Sequence, residues 1–299
     1  MEQTAIALRP ELYSTSEIVD SAKAIDSIGS ISNIFIPDIP GSLESLEIAN
    51  SCLAVTGEVK IGSGVLRLHE HDSNNFLRRL ETIQSLCGNR FVLGVGTGRG
   101  WPNPRESISR MLSQLDEIRA NFGSVTHIPG LSFPSTYVAA LREGMARKAI
   151  GHCDGLLLNF CSPEYARSII SKVSRSSATK FACYLKVFYA REERKALKLL
   201  VNEFSNYDAL PNYHAMFVRD DIASAISEAK KGMDSGSINV PEALKKISIA
   251  NPTTEKLKEY VRTFRSAGIG LPCVYPYFDR SEEHEYKLSR IREIAETFR

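Results

Sequence analysis

The chain reads as α/β, a single (β/α)8 TIM barrel with a helical insertion after its seventh strand. Three observations lead there. Eight short apolar runs alternate with longer stretches at helical spacing. Parallel strands need such crossover helices between them. Eight repeats within 299 residues suit a closed ring, with an open doubly wound sheet as the structural rival. No Pro/Gly/Ser-rich linker divides the chain, so residues 1–299 are expected to form one domain.

Residues 4–9 (TAIALR) read as the first strand. Residues 15–28 carry apolar side chains at helical spacing and stop at Gly29. NIFIPD (33–38) is the second strand, ended by Pro40 and Gly41. Ser42 is the expected N-cap of the next helix, which runs to about Val55; Ser45 stands where a capping box wants a glutamate. VKIGSGVL (59–66) is strand three, followed by a helix over 73–86 with Gly88 as its C-cap.

RFVLGVGT (90–97) is strand four, and Pro104 can open the helix after it. TYVAAL (136–141) is strand five, with a short helix over 144–150. GLLLNF (155–160) is strand six, with a helix from Pro163. FACYLKVFY (181–189) is strand seven. A mainly helical stretch over about 192–248 is the insertion. A helix over 253–267 ends at Gly268, GLPCVYPY (270–277) is strand eight, and a helix over 283–298 closes the chain.

Hydrophobic residues make up 43% of the chain and charged residues 24%, an ordinary globular balance. A chain of this length buries roughly three quarters of its extended surface, so it needs no disulfide or metal staple. No uncharged apolar run approaches the roughly 18 residues a membrane span requires. The 37 basic and 35 acidic residues leave a net charge of +2, without the basic excess of a nucleic-acid binder. The first residues, MEQTAIALRP, lack the pattern of a signal peptide. Six scattered cysteines without a CxxC pair read as reduced core residues of a cytoplasmic protein.

Barrel chemistry sits at the C-terminal ends of the strands. That selects residues 9–11, 38, 64–71, 96–101, 142–144, 159–161, 189 and 275–278. Gly94, Gly96, Gly98 and Gly100 form a GxGxGxG run, neither a dinucleotide fingerprint nor a P-loop. Such glycines admit either a flat or anionic ligand or a tight turn. His69 and His71, at i and i+2 on an extended segment, can share a side and hold a metal in a barrel hydrolase. That reading needs further ligands from other strand ends, and His127, His152, His214 and His284 fall before strands or within helices. Asp38 orients a ligand or caps a helix. Asn159 bonds a ligand or the next loop, and Trp101 stacks on a ring or packs beneath its loop.

Several segments together resemble the bacterial luciferase-like family of flavin- and deazaflavin-dependent oxidoreductases. They are IFIPD (34–38), VKIGSGVL (59–66), FLRRLETIQSLCGNRFVLGVGTG (76–98), YVAALREGM (137–145), CDGLLLNFCSPE (153–164), ANPTTEKLKEYVRTFRSAGIGLPCVYP (250–276) and IREIAETF (291–298). The spacing and the closing helix look most like the methylenetetrahydromethanopterin reductase branch, which uses coenzyme F420. The resemblance implies a non-prolyl cis peptide at Gly64-Val65, behind the cofactor ring. It implies that Gly96, Thr97 and Gly98 form the turn that admits the ring, and that Arg142, Gly144 and Met145 receive the cofactor phosphate at a helix start. Asp38 completes the implied cofactor set. His69, Arg99, Trp101 and Asn159 are the substrate-side candidates.

Two positions depart from the family pattern. Ile39 stands where many relatives carry a histidine, which leaves the catalytic acid/base unassigned. Arg99 stands where a sugar-phosphate dehydrogenase branch carries a glutamate. The segment between strands four and five is also shorter than usual.

The resemblance thus implies hydride transfer between F420 and a small organic substrate such as a methanopterin-type imine, whose reduction demands little acid/base help. FMN, in a reductase or monooxygenase, is the alternative cofactor. A metal-dependent hydrolase and a non-catalytic cofactor-binding relative are the remaining readings. No metal, nucleic-acid or membrane partner is expected. A homodimer or higher homo-oligomer is, with helices 42–55 and 73–87 at its interface. A bulky residue at Gly64 is expected to abolish cofactor binding in a chain that still folds.

Overall fold

The computed structural model describes residues 2–98, 103–125, 128–173 and 179–299. Among these residues ten strands pair, all in parallel: β1 (Ala5–Ala7), β2 (Asn33–Ile36), β3 (Lys60–Ser63), β4 (Leu66–Arg67), β5 (Phe91–Gly96), β6 (Ser135–Ala139), β7 (Gly155–Asn159), β8 (Lys180–Tyr189), β9 (Ser248–Ala250) and β10 (Leu271–Phe278). Eight of them close a ring in the order β1, β2, β3, β5, β6, β7, β8, β10, with β10 paired back to β1. The molecule is therefore a (β/α)8 barrel, as the alternation predicts.

Two strands lie outside a plain eightfold count. The run read as strand three breaks after Ser63 at a cis peptide bond between Gly64 and Val65, and β4 then pairs with β5 alone. β9 lies beyond the insertion. It takes over the flank of β8 at Lys186–Phe188, where β7 has stopped pairing at Tyr184.

The helices form where their buried positions recur at helical spacing. Helix Thr15–Ile28 buries Ile18, Ser21, Ala22 and Ile25. Its N-terminus is a full capping box in which Ser14 and Glu17 bond each other's backbone N–H, a Ser-x-x-Glu signal the sequence carried. Left-handed Gly29 and Gly88 end their helices as expected, at φ 76° and 57°. The expected N-cap at Ser42 is corrected. The Ser42 N–H closes a turn onto Ile39. Helix Ser45–Val55 is instead capped by Glu44, whose carboxylate accepts from the Glu47 N–H.

Rings from four strands meet inside the barrel: Phe35 lies 6.2 Å from Tyr137 and 6.4 Å from Tyr184, and Tyr184 lies 4.8 Å from Tyr275. Between β8 and β9 run helices Glu193–Asp208, Pro211–Arg219, Ala223–Asp234 and Glu242–Lys245. Among the described residues no helix is long and apolar enough to cross a membrane.

Candidate active site

The strand ends of β2 to β6 gather one group of residues. The cis Gly64–Val65 bulge puts Val65 against β5: a Cβ on Gly96 would stand 2.7 Å from Val65 Cγ2 and 3.4 Å from Ala139 Cβ. Gly94 likewise leaves room for the Ser63 carbonyl, and Ser63 Oγ donates to the Gly94 carbonyl at 2.8 Å. Gly98 has φ 64°, and a Cβ there would press on Arg67 and His69. These glycines thus admit the chain's own neighbours, which accounts for their size before any ligand is invoked.

Asp38 does not cap a helix. Its carboxylate holds Arg67, accepting from Nε at 3.0 Å and from Nη2 at 3.4 Å, and Arg67 also donates to Glu70 at 2.6 Å. The histidine pair is corrected too. Residues 68–70 form a 3-10 turn anchored by buried Leu68, so the extended geometry that would align His69 with His71 is absent. His71 packs 5.3 Å from Phe76, and burial lowers its pKa. Among the described residues no three His, Cys, Asp or Glu side chains cluster as metal ligands do.

After β6, Arg142 precedes the short helix Glu143–Ala149. A Cβ on Gly144 would meet nothing within 4 Å, so this helix start is open. Glu143 turns toward Arg147 and Lys172, at 2.8 and 3.1 Å. Among the described residues no carboxylate pairs with Arg142. Met145 is partly buried against the core.

The other side of the mouth is covered by the insertion. Arg9, just past β1, bonds Glu203 at 2.8 Å and Glu11 at 2.7 Å. Asn159, the last residue of β7, donates to the Tyr213 hydroxyl at 3.2 Å. Asp220 accepts from the Ser162 N–H at 2.6 Å and from its hydroxyl, and burial raises the pKa of Asp220. These ties hold helices Glu193–Asp208 and Pro211–Arg219 against the strand ends.

Phe160 adopts φ 55°, a left-handed backbone that costs a side-chain-bearing residue about 1–2 kcal/mol. Strict strand alternation would send Phe160 away from the face of Asn159. Instead both touch Tyr213, and the Phe160 ring packs on Phe204 and Tyr207 at 5.1 and 4.3 Å. Asn159 Oδ1 is buried with no partner among the described residues.

Lys186 of β8 lies in this mouth, fully buried. Its Nζ is 3.1 Å from the Tyr277 hydroxyl and stands over the rings of Tyr275, at 3.8 Å, and Phe160, at 4.1 Å. Burial drives its pKa well below the usual lysine range.

The structure thus brings Asp38, Gly64, Val65, Gly96, Gly98 and His69 together, with Thr97 between the last two glycines. Arg142, Gly144 and Met145 follow the neighbouring β6, while Asn159 belongs to the insertion side. Arg99, Trp101 and His127 lie outside the described residues. Sequence reasoning missed Arg67, Glu203 and Lys186. The signal for Lys186 was present, as a lone charge in the apolar run FACYLKVFY. A broad hollow of about 620 Å³ lies at the opposite end of the barrel, lined by Asn89, Ser135, Asp154 and Lys180 near the strand starts. Barrels use that end for stability, so the hollow is not the candidate site.

The model of the family described as luciferase-like monooxygenase matches residues 3–290. The chain belongs to this family. The luciferase-like chain is therefore an oxidoreductase. No curated protein matches it. Solved structures share the fold. A coenzyme F420-dependent tetrahydromethanopterin reductase from Methanopyrus kandleri superposes with a TM-score of 0.69 at 15% identity, over 99% of this chain and 98% of its own. An F420-dependent secondary alcohol dehydrogenase, in complex with an F420-acetone adduct, gives 0.73 at 14%, over 100% and 99%. The oxygenating constituent of 3,6-diketocamphane monooxygenase from Pseudomonas putida, in complex with FMN, gives 0.65 at 13%, over 99% and 97%.

Proposed function

We propose that this luciferase-like chain is a coenzyme F420-dependent oxidoreductase that moves a hydride between the deazaflavin and a small organic substrate. A methanopterin-type imine is one such substrate. The observation that carries the reading is the Val65 side chain packed against Gly96 beside the Gly96–Gly98 turn, at the C-terminal strand ends of a chain of this family.

The residues present fit such a group. Arg142 has no carboxylate partner among the described residues, and the helix start at Gly144 is open, as an anionic phosphate requires. The glycine run supports the fit less, because neighbouring strands already fill its space. When bound, the deazaflavin supplies the hydride chemistry. The chain's part is to hold and orient it. Val65 would back the ring, and Thr97 and Gly98 would border it. Arg142 and the Gly144 N–H would take the phosphate beside Met145, whose own N–H already donates to the Arg142 carbonyl at 3.0 Å, and Asp38 would act through Arg67. The insertion over about 192–248 keeps water from the mouth of a single barrel domain.

FMN is the second reading, favoured by the FMN complex among the structural neighbours. Fluorescence titration of cofactor-stripped protein with F420 and, separately, with FMN tests both. Micromolar or tighter preferential binding of F420 is expected. Preferential FMN binding moves the reading to flavin chemistry, and binding of neither overturns it.

We also propose a homodimer. The helices Ser45–Val55 and Ser73–Cys87, between which Leu46, Arg78 and Ile83 line a surface groove, are its contact elements.

A further inference from the structure

Lys186 is a feature of the mouth that the proposed cofactor role leaves unused. Burying an amine is costly, and an apolar residue of the same length would pack there without that cost. Its surroundings are specific. Nζ stands over the rings of Tyr275, Phe160, Tyr184 and Tyr277 at 3.8, 4.1, 5.2 and 5.3 Å. Its hydrogen-bond partner is the Tyr277 hydroxyl, at 3.1 Å.

The rings also connect the amine to the candidate cofactor side. Tyr277 lies 4.9 Å from Tyr275 and Tyr275 lies 4.8 Å from Tyr184, whose hydroxyl donates to the Gly64 carbonyl at 2.7 Å. On the outer side, the Arg9 guanidinium lies 4.7 Å from the Tyr277 ring and is neutralised by Glu203 and Glu11.

We propose that Lys186 is the proton reserve of the mouth, a positioning residue acting through the Tyr277 hydroxyl on the heteroatom of a substrate bearing a hydroxyl or carbonyl group. This rests on the oxidoreductase reading above. In the oxidative direction the substrate carbon loses hydride to the cofactor and its hydroxyl loses a proton to the Tyr277 oxygen. The proton of Tyr277 passes in turn to Lys186 Nζ. The substrate leaves as a carbonyl compound and Lys186 becomes an ammonium, which the facing rings stabilise. Reduction runs the same transfers backwards, so atoms and electrons balance in both directions. Burial lowers the pKa of Lys186 and so favours the neutral amine, the form that can accept the proton. The charged and titratable groups facing it are Glu203 from the insertion helix, Arg9 past β1, Cys183 and Tyr184 on its own strand, and Cys273, Tyr275 and Tyr277 on β10.

The test uses the full chain with Lys186→Met, Lys186→Arg and Tyr277→Phe. In the cofactor-free protein, 13C NMR of ε-labelled lysine should show one resonance, absent in Lys186→Met, that titrates well below the others. A Lys186 that titrates with the surface lysines overturns the proposal. The loaded protein is then assayed with secondary alcohols and their ketones, propan-2-ol and acetone first. All three variants should bind cofactor as the wild type does. Each should lose about 100-fold or more in kcat, the scale of general acid–base catalysis, and lose one ionisation from the pH profile. Unchanged kcat and pH profile in variants that bind cofactor overturn this proposal alone. A wild type that binds cofactor but turns over none of these probes overturns the substrate class. A wild type that binds no cofactor overturns the oxidoreductase reading itself.

Discussion

Gly64 shows how a single missing side chain serves the barrel before it serves a ligand. A Cβ at this position would overlap the Tyr184 hydroxyl and stand 2.9 Å from Phe35 Cβ. Gly64→Ala should therefore destabilise the fold by about 1–3 kcal/mol, the usual cost of overpacking a tight interior. Urea unfolding checks this, and adding Tyr184→Phe should recover part of the loss. Full stability in Gly64→Ala would show that the interior yields at this point. The expectation that a bulky residue here tests cofactor binding in an otherwise intact chain does not hold. Other single residues were legible only by type. Asp38 and Asn159 stood out because polar groups end apolar strands. Their partners, Arg67 and Tyr213, come from 29 and 54 residues away and no local pattern announces them.

Elements were legible where one signal dominated. Glycine C-caps, proline helix starts and strand runs lie where periodicity and backbone chemistry put them. The misses came from short-range competition. Ser42 has the right side chain for a cap, yet Glu44 is nearer the first buried turn of the helix. β9 is only three residues long, and β8 creates it by offering a free flank. The turn from helix Ser45–Val55 into β3 depends on a more distant group. Asp26 accepts from the N–H groups of Gly57, Glu58 and Val59 at 2.7, 3.0 and 2.8 Å. Burial opposes its ionisation, but these bonds jointly outweigh burial and lower its pKa below 3.8. The depressed value gives a definite sign: its stabilisation is complete above the unfolded value and fades as pH falls through the folded one. The gap in urea midpoint between wild type and Asp26→Asn should be widest near pH 6 and shrink below about pH 4. A gap that stays constant with pH would contradict this role.

For the whole molecule, the ring was the most legible feature, because eight repeats of one pattern average out local errors. The site was less so. Strand order says which ends share a rim, but only packing reveals that the insertion is tied to the ends of β1 and β7. The surface that would join two copies is weakly encoded as well. Leu43, Val55 and Leu86 are exposed at the ends of the two proposed contact helices, and elsewhere those helices present mainly polar side chains such as Glu47, Asn74, Asn75 and Arg78. Light scattering of the purified chain should nevertheless return the mass of a dimer, and a monomeric mass would remove that proposal.

The direct pairing of β8 with β10 has a consequence for how such a protein can change. Their register runs from Leu271 against Ala182 to Phe278 against Tyr189, so the ring closes without help from anything between them. The long excursion after Tyr189 is in that sense a detachable roof on a finished wall. Lengthening a loop whose ends are already held costs little entropy. Evolution, or a protein engineer, could therefore trade one roof for another, changing which molecules are admitted and leaving the hearth beneath it in place.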